Sequence, residues 1–189
     1  MHAILQHGKM VQRACFTLYG SVLVLLAVFL MVADPHRQGL EIAALVWLGL
    51  GSWTVIEYVM HRFVLHGLQP FRRWHMAHHQ QPAARIYKTA TLSVALIAML
   101  VMFPALLLAD RWLSSALTLG LLTGYFGYVI THHAIHHWRN DNTWLNQRKR
   151  WHLLYHHHSD QPGCYGVTSG FWDHVFGSAR WSPAGRDKV

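Results

Sequence analysis

The chain has 189 residues, is 52% hydrophobic and only 13% charged, and carries a formal net charge of +8. Its charged fraction is about half that of an ordinary soluble domain. The basic residues are interleaved with long apolar runs, so the charge points to a membrane and excludes nucleic acid as the partner. Cys15 and Cys164, the only two cysteines, exclude a disulfide framework and a CxxC metal motif.

His7, Lys9 and Arg13 precede the first apolar run. They read as a flank and not as a cleaved leader, because the run is long enough to span and no clear small-residue cleavage site follows. Four stretches have the length and apolarity of membrane helices, at about 16–33, 40–60, 89–109 and 113–131. The second carries Glu41 at its start and Glu57 near its end. The third holds Pro104, which a spanning helix tolerates when its neighbours re-satisfy the freed carbonyl. The connections at 34–39 and 110–112 are very short, so the spans pair as two helical hairpins. Residues 1–15, 61–88 and 132–189 then share one side of the membrane. Fourteen of the sixteen Lys and Arg residues lie in those three segments, Arg37 and Arg111 being the exceptions. Positive charge marks the cytoplasmic side, which places both termini there. The expected fold is all-α: one integral membrane domain over 1–189, with four spans and a cytoplasmic helical cap at 61–88 and 132–180.

The cap segments are rich in histidine. Thirteen of the seventeen histidines fall between His61 and His158. They form four clusters: His61 and His66; His75, His78 and His79; His132, His133, His136 and His137; His152, His156, His157 and His158. Imidazole is the commonest metal ligand. Positions i, i+3 and i+4 share one helix face, so His75 fits with His78 and His79, His132 with His136, His133 with His137, and His152 with His156. His61 and His66 do not fit, because five residues turn an α-helix to about 140° apart. His66 is expected in a last, distorted turn before Gly67, a natural terminator. A lone histidine on an apolar face is usually a satisfied packing residue. Four clusters at the exits of apolar runs instead imply a polynuclear metal site of mostly neutral imidazole.

Several neighbours carry two readings. Glu57 lies one turn before His61 and can accept a hydrogen bond from a ligating imidazole, or be an ordinary helix-end acid. Asp173 has the same two readings. Trp151, Trp172 and Trp181 read as interfacial anchors, and Tyr125 and Tyr128 as packing between helices. Arg72, Arg73, Arg148, Lys149 and Arg150 form a basic set suited to an acidic partner. No haem-binding or dinucleotide-binding glycine motif appears.

The segments EYVMHRFVLH (57–66), WHMAHH (74–79), GYVITHHAIHH (127–137) and WHLLYHHH followed by YGVTSGFWDHVFG (151–177), in this order, resemble the fatty acid hydroxylase / sterol desaturase superfamily of membrane di-iron enzymes. The first and last look most like its fatty acid 2-hydroxylase branch. The resemblance covers roughly 45–180. It implies two iron ions, with zinc as a substitute in purified protein. The ligands would be His61, His66, His75, His78, His79, His132, His136, His152, His156 and His157. His133, His137 and His158, with Glu57 and Asp173, would stand behind them. His152 lies one residue before the family's usual place, and His133 occupies a slot that is usually not a ligand. The implied activity is hydroxylation of a lipid C–H bond, on a fatty acyl chain, using O2. Electrons would come from an external cytochrome b5-like or ferredoxin donor. Carotenoid or sterol hydroxylation or desaturation is the alternative within the class, and a zinc- or nickel-handling membrane protein the alternative outside it.

Overall fold

The computed structural model describes residues 2–33, 39–80, 97–139, 142–157 and 163–179. These residues are helical wherever they are regular, with no strand among them. The elements are α1 (His2–Ala33), α2 (Gly39–Val59) continuing as a π-turn (Met60–Leu65), α3 (Phe71–Gln80), a π-turn (Ala98–Met102) leading into α4 (Phe103–Leu108), α5 (Arg111–His137), α6 (Thr143–His157) and α7 (Phe171–Val175). Three helices are long and apolar enough to cross a membrane: Gln12–Val32, Gly39–Leu65 and Arg111–His137. Their side chains agree, since Leu25, Met31, Leu40 and Trp47 are all more than two-thirds exposed, as lipid-facing residues must be. Of the third expected span, 89–96 lie outside the described residues, and Met99–Leu108 is a shorter apolar helix.

Two helices run further than expected. α1 begins at His2 because residues 2–15 are mostly good helix formers with no proline. α5 reaches His137 for the same reason. The π-turn before α4 has a local cause. Pro104 offers no N–H, and its ring crowds the carbonyl four residues back, so the backbone widens there.

The chain divides into two compact units, one of residues 1–53 and 81–127, the other of 54–80 and 128–189. In the first, α2 meets α5 at two glycines. A Cβ on Gly49 would lie 2.9 Å from Leu121 N and 3.1 Å from Gly120 Cα, and one on Gly120 would lie 2.9 Å from Leu50 N. Only glycine lets the two backbones come this close, the usual device where helices associate without a hydrophobic driving force. Ser114, Ser115, Ala116 and Thr118 keep the same helix narrow and are buried. Tyr125 joins this packing edge-on to Tyr19 at 5.5 Å and to Trp53 at 5.1 Å, so it is a packing residue.

The second unit is built from the end of α2, α3, the end of α5, α6, α7 and the loop before α7. Ala134, Ile135, Leu145 and Val167 form one apolar cluster, with Tyr128 against it. Tyr58 and Tyr165 form another, covered by Trp172. Asn142 caps α6, its Oδ1 accepting from Trp144 N at 2.9 Å and Leu145 N at 3.3 Å. Trp172 donates to Thr54 Oγ1 at 2.9 Å, and Trp151 packs against Arg148 and His174. Both tryptophans read as interfacial anchors are thus packing residues of this unit, while Trp181 lies outside the described residues.

Gly120→Ala is expected to destabilise the protein by roughly 1–3 kcal/mol, because a methyl group has no room against the α2 backbone. Thermal melting in detergent measures this, and an unchanged midpoint would refute the close approach.

Candidate metal centre

The histidines of the second unit gather into two triads. His61, His66 and His75 form one, and His132, His136 and His152 the other, each with one ligand nitrogen per residue inside a 4.8 Å limit. In the first, His61 and His75 are buried, and their Nε2 atoms lie 3.1 Å apart. The His66 ring sits 5.1 Å from that of His61 and 4.5 Å from that of His75. In the second, His136 Nε2 lies 3.3 Å from His132 Nε2 and 3.0 Å from His152 Nε2.

The awkward spacing of His61 and His66 is resolved by the backbone. Across Met60–Leu65 the helix widens to a π-turn, and His66 N donates to His61 O at 3.2 Å, an i→i+5 bond. Five residues then close one turn, and both imidazoles face the same point. Gly67 follows, so close to the Phe63 backbone that a Cβ would meet Phe63 C at 3.0 Å. The expected distorted turn is therefore a π-turn. The second triad needs no distortion. His132 and His136 are one α-turn apart on α5, and α6 brings His152 across.

His133 and His137 pair with each other, ring centroids 4.5 Å apart, and belong to neither triad. Their i,i+4 face is one residue out of phase with that of His132 and His136. His152, whose place in the sequence is irregular, joins the second triad, and Tyr128 stacks on His132 at 5.7 Å. His78 and His79 lie on α3, and His156 and His157 on α6, with side chains outside the described part; His158 lies outside the described residues.

The donor chemistry suits a cation. His61 Nδ1 lies 2.5 Å from the Tyr165 carbonyl oxygen. A carbonyl only accepts, so Nδ1 carries the proton and Nε2 turns a lone pair into the triad. Three imidazole nitrogens this close can satisfy one another only in part. A borderline first-row metal ion accepts from all three. The residues present therefore fit a metal ion in each triad.

The two carboxylates stand one layer behind. Glu57 accepts from Val167 N at 2.7 Å and Thr168 N at 2.8 Å through Oε1, and from Thr168 Oγ1 at 2.5 Å through Oε2. Asp173 accepts from Tyr165 N at 2.7 Å, Gly166 N at 2.8 Å and Ser178 Oγ at 2.8 Å. Both are buried, Asp173 completely. For His61 the outer acceptor is thus a backbone carbonyl, and the carboxylates hold the loop that carries it. Sequence reasoning missed Tyr165, since a backbone carbonyl leaves no residue-type signal. Tyr58 joins the network through Ser178 Oγ at 2.8 Å, and Arg62 donates to the Tyr58 hydroxyl.

The basic set is corrected at two positions. Arg72, Arg73 and Arg150 are exposed. Arg148 is only 9% exposed and lies over the Trp151 ring at 4.6 Å. It falls on the inward face of α6 with Leu145 and His152, so it is not part of a docking surface. Burial lowers its pKa, opposed by Asp173, Glu57 and Cys164. Lys149 is half-buried and donates to the Trp138 carbonyl.

Residues 46–178 match the family model described as fatty acid hydroxylase. The chain is 34% identical over 142 residues to the ceramide very long chain fatty acid hydroxylase scs7 of Schizosaccharomyces pombe, covering 69% of this chain and 41% of that protein. It is 32% identical over 147 residues to the dihydroceramide fatty acyl 2-hydroxylase FAH2 of Arabidopsis thaliana, covering 73% of this chain and 61% of that protein. The chain thus spans less than two-thirds of the length of either relative. A solved structure of full-length scs7p, with only the hydroxylase domain visible, matches with a TM-score of 0.70 at 28% identity, covering 87% of this chain and 66% of that one.

One pH response follows from the loop. Burial, with Asp173 nearby and Arg148 opposing, pushes the Cys164 thiol up to about 11. Only the thiolate reacts. In a Cys15→Ala background, iodoacetamide labelling of Cys164 should rise about tenfold per pH unit from pH 8 to 10, with no levelling near the ordinary value of about 8.5. Mass spectrometry of labelled protein reads the rate, and a plateau by pH 9 would contradict the burial.

Proposed function

Because the chain belongs to the fatty acid hydroxylase family, we propose that it is a membrane oxygenase that hydroxylates a fatty acyl chain at carbon 2. One observation carries the reading: two convergent histidine triads, each including residues from the C-terminal end of an apolar helix of membrane length. The proposed ligands are His61, His66 and His75 for one metal ion and His132, His136 and His152 for the other, completed by His78, His79, His156 and His157. His133, His137 and His158 serve behind them. We read residues 1–189 as one hydroxylase domain, with both termini and the histidine sites on the cytoplasmic side. The lysine and arginine bias supports that side.

When bound, two iron ions supply the redox chemistry that activates dioxygen. One oxygen atom enters the C–H bond, and the other leaves as water with two electrons and two protons. The chain's own residues hold and orient. Neutral imidazoles leave the positive charge on the metal, and the Tyr165 carbonyl fixes the His61 tautomer. Histidines at the ends of apolar helices suit a substrate whose tail lies in lipid and whose reacting carbon lies next to the carboxyl or amide group. The similarity to a ceramide very long chain fatty acid hydroxylase and to a dihydroceramide fatty acyl 2-hydroxylase supports position 2 of an acyl chain over a sterol or carotenoid ring.

The electrons come from an external donor of the cytochrome b5 or ferredoxin kind. Arg72, Arg73 and Arg150 are the exposed cations offered for docking. Replacing all three by Gln should lower turnover with an acidic donor several-fold at low salt and flatten its salt dependence. An unchanged salt profile would remove the docking role.

The activity itself is tested by lipid mass spectrometry on cells with and without the gene, grown in air. The expected product is an acyl species heavier by one oxygen atom and hydroxylated at carbon 2. It should be lost in His75→Ala and His136→Ala variants. No oxidised lipid in cells whose purified protein carries metal would overturn the assignment.

A further inference from the structure

We propose that Asp173 is a positioning residue for His61, acting through the single peptide plane between Tyr165 and Gly166, while Glu57 holds the other side of the same loop. The proposal rests on the metal-centre reading above and adds to it how one ligand is aimed.

A trans peptide is planar, so the C=O of one residue and the N–H of the next point in opposite directions. The Tyr165–Gly166 bond is not among the cis bonds. Its N–H, on Gly166, is held by Asp173 Oδ2 at 2.8 Å. Its C=O, on Tyr165, must then point away from Asp173, and there it meets His61 Nδ1 at 2.5 Å. Three groups thus lie in series: carboxylate, peptide and imidazole. The carboxylate polarises the peptide, and the peptide carbonyl in turn draws on the imidazole N–H. The outcome is that of a carboxylate bound directly to a ligating histidine, with one peptide inserted between them.

The loop is built to keep this plane still. Tyr165 N is held by Asp173 Oδ1 at 2.7 Å, and Ser178 donates to the same oxygen at 2.8 Å. Cys164 N donates to Ser178 O at 3.0 Å, and Ser178 N to Asp173 O at 2.8 Å. On the far side Glu57 binds the next two amides, Val167 and Thr168, through one oxygen. Four successive N–H groups therefore end on two buried carboxylates. A Cβ on Gly166 would collide with the Ser169 backbone carbonyl and would lie 3.0 Å from Asp173 Oδ2, so the turn that sets this plane against the carboxylate needs glycine. Every one of these contacts lies among buried or half-buried residues, where solvent competes less than at the surface.

Asp173→Asn is the direct test. Whichever way the amide turns, its NH2 faces either Tyr165 N–H or Gly166 N–H, and one of them loses its acceptor. Full-length protein in detergent is titrated with zinc(II) against a chromophoric chelator, and His75→Ala marks which class of site belongs to the first triad. Asp173→Asn should weaken that class about 10- to 100-fold and leave the other within about twofold, the usual size of a loss behind a metal ligand. The visible band of cobalt(II) at the same site should shift, and the metal-free melting temperature is read alongside. Unchanged zinc affinity would overturn the proposal, as would equal weakening of both classes in step with a lower metal-free melting temperature. A parent chain that binds no zinc would instead overturn the metal-centre reading. If Asp173→Asn does not fold, Glu57→Gln carries the test, with a smaller expected loss of about threefold to tenfold in the same class. No loss there overturns the proposal.

Discussion

Buried backbone N–H groups must find acceptors, and in the second unit two carboxylates provide them. Glu57, on α2, takes the amides of Val167 and Thr168, more than a hundred residues further along the chain. Asp173, at the start of α7, takes those of Tyr165 and Gly166. Charge-assisted bonds to buried carboxylates are roughly twice as strong as neutral ones. The loop they fix supplies the carbonyl that orients His61, the Val167 side chain that closes one apolar cluster, and the Tyr165 ring that closes the other. Remove the carboxylates, and the amides, the clusters and the histidine lose their reference together.

Irregular backbone does comparable work on α2. A regular α-helix would carry His61 and His66 to different faces. The π-turn at Met60–Leu65 brings them to one. One i→i+5 bond is poorer than the α-bond it replaces, so such turns survive mainly where a site needs them. Here the local distortion falls on the two residues that the first triad requires. The second triad is assembled from regular i,i+4 geometry and one residue of a neighbouring helix, and it shows no comparable backbone irregularity.

Three charged side chains of this unit, Glu57, Arg148 and Asp173, are buried. An all-imidazole ligand set contributes no negative charge to a bound cation. Glu57 and Asp173 provide two buried negative charges in the same unit, each held by three hydrogen bonds. Arg148 is buried as well, and its desolvation, which lowers its pKa, is opposed by the attraction of those carboxylates. An unpaired buried ion costs several kcal/mol. The attraction between the two signs offsets part of that cost, and Arg148 lies over the Trp151 ring, apart from the exposed Arg72, Arg73 and Arg150.

Much of this was legible from the sequence because it depends on local pattern. Apolar run length marks the helices of membrane length, since a bilayer admits little else. The i,i+4 pair His132 and His136 follows from helical periodicity alone, and the cluster order carried the family. Three things needed the tertiary structure. The π-turn joining His61 to His66 depends on a choice of backbone hydrogen bond that no spacing rule states. His152 joins the second triad because α6 packs where it does, whatever its place in the motif. Glu57 and Asp173 each carried two readings, and that both hold backbone amides of one loop is visible only in the fold, as is the carbonyl, a group present in every residue, that meets His61 Nδ1. A side chain announces its chemistry in the sequence, whereas a backbone group acquires a role only when the fold decides what it faces.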